Sequence, residues 1–89
     1  MKEEIQKFVV DTVTRELNED EPVNPYMTFD DLGVDSLELM NVTQAVENEF
    51  DVHITYKMTL GIKTLADMAS QCSVLAEQRK ENIDNLSGG

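Results

Sequence analysis

Apolar residues recur at three- and four-residue steps in three separate stretches of the chain, and between those stretches the rhythm is lost. Ile5, Phe8, Val9, Thr12, Val13 and Leu17 fall on one stripe, with Glu3, Lys7, Asp11 and Arg15 elsewhere, which predicts a helix over residues 2–17. Val10 sits off that stripe, and Asn18 is a fair terminator. Leu39, Val42, Thr43, Val46 and Phe50 form the inward stripe of a second helix over residues 36–50. On it a second row, Leu37, Met40, Gln44 and Glu47, should face outward. Leu65, Met68, Ala69, Cys72, Leu75 and Ala76 mark a last helix over residues 64–78, with Thr64 and Asp67 as its capping pair. Cys72 on that stripe reads as a small core hydrophobe.

The connections carry their own signals. Residues 18–35 cannot be helical throughout, because Pro22, Pro25, Asn18 and Asn24 break it and Glu19-Asp20-Glu21 is too charged to bury. A loop of that length is functional or pinned by its own side chains, here Val23, Tyr26, Met27, Phe29 and Leu32. Phe29 and Leu32, three apart, predict one helical turn pressed on the core. A calcium loop fails on spacing: starting at Asn18 puts Pro22 at the fifth position, and starting at Asp30 puts Leu32 at the third. Residues 51–63 are irregular, with Val52, Ile54, Leu60 and Ile62 expected to close the core. The polar end, residues 81–89, is expected to be a flexible tail behind a single domain over residues 1–80.

Composition narrows the class. The 89 residues suffice for one small domain, and an apolar share of 40% without tryptophan suits a bundle of short helices. One cysteine excludes an internal disulfide, no apolar run reaches the roughly 18 residues of a membrane span, and the start carries no signal-peptide pattern. A cytoplasmic monomer is the expectation. The net charge is −11, and its placement matters more than its size. Between Arg15 and Lys57 lie eleven acids and no Lys or Arg, whereas the remainder of the chain is balanced. Such a surface repels nucleic acid and attracts basic protein surfaces. Exposed Leu37 and Met40, framed by Asp35, Glu38 and Glu47, describe an apolar docking patch with an acidic rim.

The candidate chemistry lies in Asp31-Leu32-Gly33-Val34-Asp35-Ser36-Leu37-Glu38-Leu39. Gly33 takes a positive φ without steric cost, Asp35 is a strong N-cap, and Glu38 completes a capping box. Ser36 is then the first helical residue, where the helix dipole and free N–H groups favour a phosphate ester. Leu32-Gly33-Val34-Asp35-Ser36-Leu37 resembles the L-G-x-D-S-L signature of acyl carrier proteins. The likeness continues through Glu47-Asn48-Glu49-Phe50-Asp51, Ile54, Ile62 and Leu65, covering residues 3 to 77.

The resemblance implies an all-α, small four-helix bundle: three longer helices plus a short third helix that Thr55 caps, with a long first loop. It also implies a covalent 4'-phosphopantetheine on Ser36, placed there by a phosphopantetheinyl transferase. The arm's thiol would hold acyl intermediates as thioesters for acyl-transferring and condensing enzymes of fatty acid or polyketide biosynthesis. As in family members, an interior slot for the acyl chain would be lined by Phe29, Leu39, Val42, Val46 and Ile62. Where many members have proline and several acids, this chain has Thr55, Tyr56, Lys57 and Met58, so partner recognition on that side departs from the pattern. The alternative is an acidic helical interaction module without a prosthetic group. A serine hydrolase is excluded because the sole histidine, His53, lies seventeen positions from Ser36, about 25 Å along a helix. The chain is therefore expected to be no enzyme.

Overall fold

The computed structural model describes the backbone of residues 1–88 and the side chains of residues 1–79. Five helices follow one another: α1 (Lys2–Glu16), α2 (Phe29–Leu32), α3 (Ser36–Phe50), α4 (Tyr56–Thr59) and α5 (Leu65–Gly88). α2 and α4 are single turns, so the fold is the expected all-α bundle of three long helices with a short one between α3 and α5. α1 packs against both α3 and α5.

Each long helix buries the stripe its spacing predicts. Ile5, Val9 and Val13 of α1, Val42 and Val46 of α3, and Leu65, Met68, Ala69 and Cys72 of α5 are sealed in one core. Burying a side chain of this size stabilises by about 1.5–3 kcal/mol. Phe8 and Phe50 close one end of the α1–α3 seam edge to face, with centroids 5.4 Å apart and planes at 87°. Val10, off the predicted stripe, is half-buried against the same core.

The helix ends follow from local chemistry. Asn18 (φ 55°) ends α1, and its N–H donates to the Arg15 carbonyl while that of Glu19 reaches the Thr14 carbonyl. Gly33 ends α2 in the same way at φ 81°, a conformation in which a side chain would be strained, and the turn buries Val34. Thr28 caps α2, Thr55 caps α4, and the Thr64 hydroxyl accepts from the Asp67 N–H at the head of α5. The long first connection is sewn to α5: the Phe29 N–H donates to the Lys63 carbonyl (3.2 Å), and the Ala66 N–H to the Pro25 carbonyl (3.0 Å). An isolated bridge between Thr28 and Thr64 lies alongside. On the other side, the Thr14 hydroxyl accepts from the Val23 N–H at 3.2 Å.

Three expectations are corrected. Tyr26 and Met27 are exposed, and the connection is held by Val23, Phe29, Leu32 and the backbone bonds just named. Leu60 is exposed too, because the Gly61 N–H closes a turn on the Met58 carbonyl just after α4 and leaves core closure to Val52, Ile54 and Ile62. α5 runs to Gly88 rather than ending at residue 78. The side chains from residue 80 on, where the polar tail is expected, lie outside the described residues.

Candidate functional site

Asp35 sets the head of α3. Its carboxylate accepts the Glu38 N–H at 2.8 Å, while the Glu38 carboxylate accepts the Asp35 N–H at 3.1 Å. The box fixes the first turn with the two acids bonded to each other's backbone, and Ser36 stands between them, exposed, as the first helical residue. Its hydroxyl takes no part in either cap bond. A group attached there meets the N–H end of a fifteen-residue helix, whose dipole favours negative charge. These are the features a phosphate ester requires, and the residues present fit one.

The outward row of α3 divides. Leu37 and Met40 are 66% and 60% exposed beside Ser36, as their spacing predicts. Glu47 departs from the row. Its carboxylate accepts the Ile54 N–H at 2.9 Å and lies 3.4 Å from His53 Nδ1, so it faces the connection after α3 rather than solvent. Its side chain is only 25% exposed and is occupied in fixing residues 53 and 54. His53 itself is exposed, and Asp51, which ends α3 in the left-handed region, pairs with Arg79 of α5.

Ser36 sits between two grooves, and Leu39 lines both. The first, about 380 Å³, runs toward the loop before α5 and is lined by Thr28, Phe29, Asp35, Ile62 and Lys63. The second, about 500 Å³, runs down the outer side of α3 between Met40, Thr43, Ile54, Tyr56 and Thr59. Of the five expected slot residues, Phe29, Leu39 and Ile62 come together in the first groove. Val42 and Val46 line neither groove, and both are sealed in the core. Spacing along α3 put all three aliphatic residues on one face, of which Leu39, at the Ser36 end, is the one left partly exposed.

Lys63, Thr28, Tyr56 and Thr59 are site residues that sequence reasoning missed. Lys63 and Thr28 reach the site through the pairing of Phe29 with Lys63, a contact between residues 34 positions apart that no local period announces. The four-residue turn at Tyr56–Thr59 was visible only as its cap, Thr55.

Away from this site, Cys72 is buried in the core, and burial pushes its thiol up from 9.0 to about 11, with the negative charge of Glu47 adding to the effect. That is a structural thiol, not a nucleophile. Among the described residues no group of His, Cys, Asp and Glu side chains is arranged to hold a metal ion, and no helix is long and apolar enough to cross a membrane.

Comparison with known proteins bears on this site. Residues 7–72 match the family model described as phosphopantetheine attachment site. The acyl carrier protein of Petrotoga mobilis is 36% identical over 93% of this chain and 89% of its own length. That of Streptococcus pneumoniae serotype 4 is 34% identical over 76% of this chain and 85% of its own. Among solved structures, a type-II acyl-carrier protein from Streptomyces verticillus involved in bleomycin biosynthesis superposes with a TM-score of 0.72. It is 22% identical and covers 82% of this chain and 87% of its own, a likeness of fold.

Proposed function

The chain belongs to the family of acyl carrier proteins that bear a phosphopantetheine attachment site, and on that premise we propose that Ser36 is the residue that takes the arm. Proteins of this family are carriers rather than enzymes, and they work with a phosphopantetheinyl transferase and with biosynthetic enzymes. Family membership sets aside the reading of a bare interaction module. The attached arm supplies a thiol on which acyl groups are held as thioesters.

What carries the assignment of Ser36 is its place at the first turn of α3, exposed and clear of the cap bonds that fix its neighbours. The chain need not activate this hydroxyl, since the transferase brings its own base. Its own residues do three things. Asp35 and Glu38 hold the helix head in one geometry. The N–H end of α3 accommodates the negative charge of the ester. Leu37 and Met40 offer apolar anchors, with Asp35 and Glu38 as the remaining acidic rim, for acyl-transferring and condensing enzymes with basic surfaces. Service in fatty-acid- or polyketide-type assembly, as a monomer in the cytoplasm, is the setting we propose. Phe29, Leu39 and Ile62 are the apolar contacts for cargo beside Ser36, and Val42 and Val46 lie deeper, where an interior slot would run.

The test is a mass measurement. Incubated with coenzyme A and a broad-specificity transferase, the chain is expected to gain one phosphopantetheine, and Ser36→Ala to gain none. A Ser36→Ala chain that is still loaded overturns the assignment.

A further inference from the structure

The two grooves that meet at Ser36 differ in one respect that a covalently attached phosphodiester would feel. Around Ser36 the charges are acidic: Asp35 beside it, Glu38 one half-turn on, and Asp30 across the first groove. An added phosphodiester would stand among like charges that offset part of what the N–H end of α3 offers it, and a cation close by would answer them. The second groove contains no basic residue and includes Glu47. The first contains one, Lys63.

Lys63 is held in place by its backbone and left free at its tip. Its N–H donates to the Asp67 carboxylate at 3.0 Å, and its carbonyl accepts the Phe29 N–H at 3.2 Å, so both sides of its peptide frame are fixed. The side chain is exposed and forms no ion pair among the described residues. The groove it borders combines this cation with the hydroxyl of Thr28 and the apolar sides of Phe29 and Ile62, a mixture suited to an arm of amides and short methylene runs.

We propose that Lys63 supplies the counter-charge for the phosphodiester on Ser36, and that the groove between Thr28, Phe29, Ile62 and Lys63 is where the unloaded arm lies. The proposal rests on the assignment of Ser36. Lysine suits the role because its ammonium is a compact charge on a flexible stem, able to follow a phosphate that turns about its ester bond to Ser36 as partners take the arm.

Phosphorus NMR of the phosphopantetheine-loaded chain tests it, with loading itself checked by mass. The phosphorus resonance of the wild-type chain is expected to differ from that of a loaded short peptide carrying the same serine. Lys63→Ala and Lys63→Gln should move it toward the peptide value, and Lys63→Arg should keep it near the wild-type value. Proton cross-peaks from the arm to Phe29 and Ile62 should weaken in Lys63→Ala. A loaded Lys63→Ala chain whose phosphorus resonance coincides with that of the wild type overturns the role of Lys63. Absence of arm contacts to Phe29 and Ile62 in the wild type overturns the groove. Failure of the wild type to load overturns the Ser36 assignment instead, so the two failures are told apart by mass before any spectrum is taken. Lys63 is exposed, and its variants are expected to fold as the wild type does.

Discussion

The seam between α1, α3 and α5 and the head of α3 use the same aliphatic residue types to opposite ends. At the seam, Ile5, Val9, Val42, Val46 and Leu65 are at most 1% exposed. At the head, Leu37 and Met40 are more than half exposed, on the same helix as the two valines. Residues 37, 40, 42 and 46 differ only in their phase around α3, roughly 100° per residue. The lesson is that α3 separates stability from recognition by direction rather than by composition. The buried side is irreplaceable for folding, whereas the exposed side can be altered with little effect on it.

That comparison can be broken in several places. The largest effect is expected from Leu65→Ala, which leaves a cavity where α5 meets the other two helices. It should cost about 3 kcal/mol, read as a fall in the urea midpoint without a change of slope. Next comes the thiol in the same seam. With Cys72 raised to about 11, alkylation at pH 8 should run at least roughly 100-fold slower in the native chain than in urea. The same shift sets a sign for stability. The native thiol stays protonated while that of the unfolded chain ionises from 9.0 upward. Its contribution is therefore complete below pH 9 and is lost as pH rises toward 11, which urea titrations at pH 8 and pH 10.5 would resolve.

Third, Glu47→Ala should cost about 1–2 kcal/mol by leaving the Ile54 N–H without its carboxylate, and Glu47→Gln should restore most of that. Amide exchange at Ile54 is the sharper readout. A rim charge would leave it unchanged; a residue that fixes the connection would accelerate it. Last, Leu37→Ala should change stability by less than about 0.5 kcal/mol while slowing transfer of the arm by the transferase. Equal losses of stability from Leu37→Ala and Leu65→Ala would erase the distinction between the two regions.

Much of this was legible in the sequence, and what escaped did so for physical reasons. Helix starts were readable because caps are local chemistry: Asp35 with Glu38, Thr55, and Thr64 with Asp67 each bond within four residues. The stripes were readable because a 3.6-residue period survives in one dimension. The roles of Glu47 and Lys63 were not, since each is set by where a connecting segment returns to a helix. Spacing tells which side of α3 a residue takes, not whether a loop will come back to cover it. The run Glu77-Gln78-Arg79-Lys80-Glu81 hid the length of α5, because it is rich in helix formers yet lacks the apolar stripe by which helices were recognised.

The stitching of the first connection onto the start of α5 has a consequence in time. The Ala66 N–H, one of the donors that the head of α5 leaves open, is answered by the Pro25 carbonyl some forty residues earlier. The Pro25 carbonyl finds its donor only once residue 66 has been made, so during synthesis the six-residue motif emerges before the platform that presents it can settle. A nascent chain released after α3 would bear the complete signature with Ser36 on an unmoored turn. The geometry that holds Ser36 out thus belongs to the whole fold and not to the motif.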